Sequence, residues 1–229
     1  MGGINVKNTI VERVLQIVAP HPCLGCGKVG AILCHYCKYD IMHEPFLGCI
    51  VCQMPSLAGI CEVHHNPIER AFVVGLRETA LEAAINRYKF HNMRDALPTL
   101  IELLNARLPH LPDDTIVVSV PTVASHIRTR GYDHASLLAR QLAYSRSLPY
   151  RQPLQRVTTT TQHIVDKRTR LAQAQVAFAL KPNVLLRGKT VLLVDDVITT
   201  GATVTAVAEL LQSAGARVWV AALAYQPIA

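Results

Sequence analysis

Two stretches of the chain carry residue types whose spacing does chemistry. The first is Val191-Leu-Leu-Val-Asp-Asp-Val-Ile-Thr-Thr-Gly-Ala-Thr203. An aliphatic run ends in the adjacent carboxylates Asp195 and Asp196, and the turn Thr199, Thr200, Gly201, Ala202, Thr203 then opens a helix. Backbone N–H groups that converge at a helix N-terminus cradle a phosphate, and the three threonine hydroxyls add donors. Two carboxylates beside such a cradle suit a ligand that also presents hydroxyls or a cation. Asp195 and Asp196 would accept from a ribose diol, directly or through Mg²⁺. The stretch lacks the Gly-x4-Gly-Lys-Ser/Thr of a P-loop and the Gly-x-Gly-x-x-Gly of a dinucleotide fold.

The second stretch holds every cysteine. The pairs Cys23/Cys26, Cys34/Cys37 and Cys49/Cys52 are each separated by two residues, and Cys61 is followed at the same spacing by His64. Counting His64, the seven cysteines become eight ligands in two matching halves. Two thiolates two residues apart grip one ion from a tight knuckle, and two knuckles complete a tetrahedron. Disulfides fit poorly, given the odd count, the regular pairs and the absence of a secretion signal. The expectation is structural zinc, one ion or two. Sequential pairing closes shorter loops, and a cross-braced set of Cys23, Cys26, Cys49 and Cys52 stays open as the alternative. His35 and His65 are spare ligands. So small a module needs the metal for most of its stability.

Charge singles out a third region. The chain has 229 residues and a formal charge of +7. Residues 1–70 balance five basic against five acidic side chains, so the excess lies beyond them. Segment 126–170 sets Arg128, Arg130, Arg140, Arg146, Arg151, Arg156, Lys167, Arg168 and Arg170 against Asp133 and Asp166. Such a local excess points to a phosphate-bearing partner, the plainer reading being a solvated helix face. His126, His134 and His163 lie there too and fit surface or satisfied polar roles better than general-base work. Aromatic residues are only 5% of the chain, which argues against a base-stacking groove.

Elements to position these groups follow from periodicity. Arg70–Gly75, Thr115–Val120, Thr190–Asp195 and Ala216–Leu223 read as strands. Thr79–Phe90, Ala96–Leu108, Asp133–Arg146 and Gly201–Ala214 carry apolar residues at helical spacing. Strand, helix, strand at these intervals implies parallel pairing with right-handed crossovers. The expected fold is α/β, a mainly parallel sheet flanked by helices and preceded by a small zinc-ribbon module. The expected division is an amphipathic helix over 1–20, a double zinc ribbon over 21–68 and the α/β unit over 69–229. No segment suits membrane insertion, and no signal peptide or acylation motif is visible, so a cytoplasmic location is expected.

The strand–Asp-Asp–turn stretch resembles the phosphoribosyl-pyrophosphate (PRPP) signature of type I phosphoribosyltransferases. The chain as a whole is similar to the ComF subfamily, competence-associated proteins with an N-terminal double zinc ribbon. Tyr88-Lys89-Phe90, Ser119-Val120-Pro121, Arg128-x-Arg130-Gly131-Tyr132-Asp133-His134, Thr161-Gln162, Arg170 and Ala177-Phe178 carry that likeness. Asp133, His134 and Gln173 depart from the family's Asn, Gln and Asn. The resemblance implies PRPP at Asp195, Asp196, Thr199–Thr203, Val120 and Pro121, with Mg²⁺. Arg130 and Lys89 would meet the pyrophosphate, and Arg170 would sit on a closing loop. It further implies a part in DNA uptake during natural transformation, with single-stranded DNA and a competence helicase as partners. Three roles stand side by side: phosphoribosyl transfer to an unidentified acceptor, a single-stranded-DNA handler, and a PRPP-gated adaptor.

Overall fold

The computed structural model describes residues 21–65, 67–90, 94–157 and 177–227. The helix expected over 1–20 lies outside them, as do Thr161, Gln162, His163, Lys167, Arg168, Arg170 and Gln173. A helix α1 (His35–His43) begins at the second cysteine pair, with Cys34 as its N-cap and Cys37 inside it. Strand β1 (Arg70–Leu76) leads to α2 (Thr79–Phe90), a 3₁₀ turn (Arg94–Ala96), α3 (Leu97–Arg107) and β2 (Thr115–Ser119). Next come α4 (Ala124–Arg130), α5 (His134–Ser145) and the short strands β3 (Tyr150–Arg151), β4 (Leu154–Arg156) and β5 (Phe178–Leu180). The chain ends in β6 (Thr190–Ile198), α6 (Ala202–Ser213) and β7 (Arg217–Tyr225).

Five strands form one parallel sheet in the order β1-β7-β6-β2-β3, while β4 and β5 pair antiparallel on their own. The two longest strands, β6 and β7, lie inside the sheet. Their Val, Leu and Ala runs are buried on both faces, as strands covered by helices on either side must be. On one face Leu192, Val194, Ala221 and Leu223 pack with Leu81, Ile85, Leu100, Leu104, Leu138 and Leu142 from α2, α3 and α5. On the other, Val191, Leu193, Val220 and Ala222 pack with Val204, Val207 and Leu211 from α6.

The cysteine-rich segment is part of this packing. Cys23, Ile32 and Leu33 join the first core, whereas Cys49, Ile50, Ile60 and Ile68 join the second. Phe46 stacks on Tyr225 at 4.4 Å between ring centres, and Ala71 donates its N–H to Ala58 O at 2.8 Å. No helix among the described residues is long and apolar enough to cross a membrane.

The expected strands and helices recur with shifted ends. β6 runs three residues further than expected, so both aspartates lie within it. The segment after Pro121 holds the short α4, closed by Gly131 at φ +77°.

Candidate functional site

The carboxyl ends of β6 and β2, the last residues of α2 and the first turn of α5 meet at one place. Parallel α/β sheets bind ligands beyond the carboxyl ends of their strands, and Asp195 and Asp196 stand there. Strand alternation sends the two carboxylates to opposite faces, with opposite electrostatic results. Asp196 is buried: Lys89 Nζ lies 2.7 Å from its Oδ1 and His134 Nε2 lies 2.6 Å from its Oδ2. Burial alone would raise this carboxyl, but Lys89 and His134 outweigh it and hold the group well below the usual carboxylate range. Even so, Oδ2 receives no well-aligned hydrogen bond.

Among the described residues, Asp195 has no such cation in contact. Its Oδ1 accepts only from the Asp196 N–H, at 2.8 Å, among the bonds the structure gives it. Burial, then the neighbouring Asp196 charge, raise it to about 7, with Asp133 adding to the rise. It lines a small cavity of about 40 Å³ with Ile198 and the turn from Thr199 to Val204.

That turn is built tightly. Gly201 takes φ +73° as the N-cap of α6, Thr200 Oγ1 accepts from Ala202 N at 3.3 Å, and Thr205 N bonds Gly201 O at 2.9 Å. Thr199 and Thr203 face solvent. Val120 and Pro121 are buried at the end of β2, where Val120 N donates to Val194 O at 3.0 Å.

The mouth of the site is electropositive. Arg130 Nη1 lies 3.0 Å from His134 Nδ1, and its guanidinium sits 5.0 Å from the centre of the exposed Phe90 ring. His126 registers the field: burial, then Arg130, His134, Arg156 and Lys89, push its imidazole below the ordinary value. Tyr132 donates to the Tyr88 carbonyl and Tyr88 donates to the His134 carbonyl at 2.7 Å, which ties the end of α2 to the start of α5.

Asp133, one of the family departures, is the N-cap of α5. Its carboxylate accepts from Ser136 N at 3.1 Å and from the Thr122 hydroxyl at 2.8 Å. His134, the next departure and expected in a surface or satisfied polar role, is buried against Asp196. Its signal was position alone, one residue past an N-cap aspartate. Not every arginine of the basic segment faces the site. Arg146 donates to Asn105, Leu108 and Pro109 at the end of α3, and Arg140 lies over Tyr150. The segment's charge is therefore partly structural.

The eight metal-type ligands form two groups in sequential pairing, Cys23/Cys26/Cys34/Cys37 and Cys49/Cys52/Cys61/His64. Within each, the ligand atoms lie within 4.8 Å of one another. Cys26 Sγ and Cys34 Sγ are 3.6 Å apart, Cys52 Sγ and Cys61 Sγ 3.7 Å. A tetrahedral centre with sulfur bonds of about 2.3 Å has edges of roughly 3.8 Å, so both groups fit one. Burial raises Cys23, yet backbone N–H groups near Cys26, Cys34 and Gly25 outweigh it and bring the thiol to about 6. A cavity of about 530 Å³ lies elsewhere, between the first knuckle, α1 and the start of α2.

Residues 121–229 match the Phosphoribosyl transferase domain family. Together with the sheet, this makes the α/β part a type I phosphoribosyltransferase fold. The chain is 19% identical to an adenine phosphoribosyltransferase from Thermoanaerobacter pseudethanolicus of known structure, over 62% of this chain and 71% of that one, with a TM-score of 0.38. It is 31% identical to the DNA utilization protein YhgH of Escherichia coli K12 over 216 residues, 86% of this chain and 91% of the relative. It is 30% identical to Competence protein F of Haemophilus influenzae over 197 residues, 80% and 85% of the two. Identity at this level along most of both chains places the protein in the ComF-like family.

Proposed function

We propose that the protein binds PRPP at the carboxyl ends of β6 and β2 and acts in DNA uptake, with transfer of the phosphoribosyl group to an unidentified acceptor. The 5-phosphate would enter the turn Thr199–Thr203, the ribose hydroxyls would face Asp195, and the pyrophosphate would meet Lys89 and Arg130 beside Val120 and Pro121. The reading is carried by one observation: a half-buried carboxyl raised to about 7 shares a small cavity with a glycine-opened helix N-terminus. The relatives named for competence and DNA utilization support the setting.

Mg²⁺ suits the oxygen donors of Asp195 and Asp196, and Asp195, whose Oδ1 accepts from the Asp196 N–H, is the carboxylate of the two not paired with Lys89 and His134. Bound, the ion would neutralise charge on the leaving pyrophosphate. The chain's own part is positional. A nitrogen of the acceptor forms a bond to ribose C1 as the C1–O bond to pyrophosphate breaks, and the electron pair leaves with the pyrophosphate. Lys89 and Arg130 stabilise that growing negative charge, while Asp195 holds the ribose hydroxyls. Arg170 belongs to this proposal as a closing residue. Zinc suits the two sulfur-rich groups, for which thiolate and imidazole donors in tetrahedral array are the usual set. The ribbon over 21–68 then serves as a structural module on the 69–229 unit, in a soluble cytoplasmic protein.

Single-stranded DNA binding is the second reading, favoured by Phe90. It is 60% exposed beside Arg130, an aromatic face next to a cation at the mouth of the site. A competence helicase would be a partner in the same setting. Calorimetry with PRPP and Mg²⁺ on the wild type and on Asp195→Asn/Asp196→Asn tests the pocket, and equal affinity rejects it. A pyrophosphate-release screen over bases and amines tests turnover. A salt series with single-stranded DNA tests the second reading, and a flat slope of log affinity against log salt rejects it.

A further inference from the structure

The two metal-ligand groups are alike in sequence but not in what they touch. The first abuts the start of α2: a methyl placed on Gly25 would stand 2.6 Å from Cys37 Sγ and 2.9 Å from Ala80 Cβ. Lys89 lies at the other end of that helix, about 13 Å along its axis. The second group abuts the phosphate turn itself. A methyl on Gly201 would stand 2.7 Å from the Ile50 carbonyl oxygen and 3.2 Å from Val51 Cγ2. Ile50 and Val51 are the two residues between the ligands Cys49 and Cys52. Ile50 is fully buried and shares its core with Ile198 and Val204, which flank the turn on either side.

The knuckle is fixed from behind as well. Ile50 N donates to Gly59 O at 3.0 Å, and Gly59 is pressed so closely on β1 that a methyl there would lie 1.9 Å from Ala71 O. Gly201 therefore sits at φ +73° against a backbone carbonyl whose own position depends on ligands from both knuckles of the second group. Ligand shells and close-packed interiors pass such displacements on rather than absorbing them.

We infer that the group Cys49, Cys52, Cys61 and His64 positions the turn Thr199–Thr203, so that its metal sets phosphate affinity while the first group's metal does not. This rests on reading that turn as the 5-phosphate site. Knuckle residues Ile50 and Val51 act through Gly201.

The test is calorimetric titration of the full-length protein with ribose 5-phosphate, alongside elemental analysis and thermal melting. Cys61→Ser should retain one metal equivalent and bind at least tenfold more weakly. Cys26→Ser should retain one equivalent and bind within twofold of the wild type. Val51→Ala keeps all four ligands, should retain two equivalents and should bind several-fold more weakly. A purely structural role would lower the melting temperature of both cysteine variants and leave the folded protein's affinity unchanged. Equal affinity for Cys61→Ser and Cys26→Ser overturns the inference. Should Cys61→Ser fail to fold, Val51→Ala decides, and affinity within twofold of the wild type overturns it. Wild-type protein that gives no binding sinks the 5-phosphate reading and this inference with it, whereas binding without the contrast sinks the inference alone.

Discussion

Lys89 Nζ lies 2.7 Å from Asp196 Oδ1, and that pair joins the end of α2 to the carboxyl end of β6. Both side chains are largely buried, with 12% and 6% of their surface exposed. Lys89 thus has an interior partner besides the pyrophosphate it is proposed to meet.

Removing one member of a buried pair leaves the other uncompensated, at a cost of about 3 kcal/mol. Lys89→Met should lower stability by that amount in urea, equivalent to roughly 6–12 °C of melting temperature for a chain of this size. Lys89→Met/Asp196→Asn should recover most of the loss. A double variant as unstable as the sum of the two single variants would show that the residues act independently.

Asp195 should make ligand binding depend on pH. Its folded-state value is raised to about 7, so the carboxyl is neutral below that pH and ionised above it. Affinity for PRPP with Mg²⁺ should rise about tenfold from pH 6 to 8, following the ionised fraction. The ligand's own phosphate titrates near pH 6, so calorimetry on Asp195→Asn, which should lose the rise, isolates the residue. Linkage gives the opposite sign for stability without ligand. A raised carboxyl contributes stability that is present below the unfolded carboxyl's range and lost as pH rises through about 7. Asp133→Asn should move both midpoints down, because the Asp133 charge helps to raise Asp195, and should keep the α5 cap.

His126 should report pyrophosphate. Burial and the surrounding cations hold its imidazole below the ordinary value. An anion seated among Arg130, Lys89 and Arg156 offsets that field, so added pyrophosphate should move the His126 titration midpoint upward. Proton NMR of the imidazole resonances measures this. A midpoint that stays put would place the pyrophosphate elsewhere.

Metal removal should unfold the ribbon and disturb both cores. Structural zinc sites contribute on the order of 10 kcal/mol of apparent binding free energy, and Cys23 and Cys49 are core residues. Elemental analysis should give two zinc equivalents per chain, and chelation should lower the melting temperature by at least about 10 °C. Less than one equivalent would reject zinc in both groups.

Local chemistry was legible without the fold. The eight ligands are recognisable because knuckle spacing is a property of a few consecutive residues, and the structure groups them in the sequential pairing that chain entropy favours. The strand, its two aspartates and the threonine–glycine turn are likewise contiguous, so their order carried their geometry. What the periodicity left out were short pieces with too few residues to show a period: α1, α4 and β3 to β5.

Tertiary structure decided which distant groups meet. β7, the last strand, inserts between β1 and β6, an order no local pattern encodes. That arrangement, with the covering helices, brings Lys89 and His134 to Asp196, diverts Arg146 to the carbonyls of α3, and sets the second knuckle against Gly201. The adjacent aspartates looked equivalent in the sequence. Strand alternation sends one toward Lys89 and His134 and leaves the other to be raised by burial, and only the packed sheet faces say which is which.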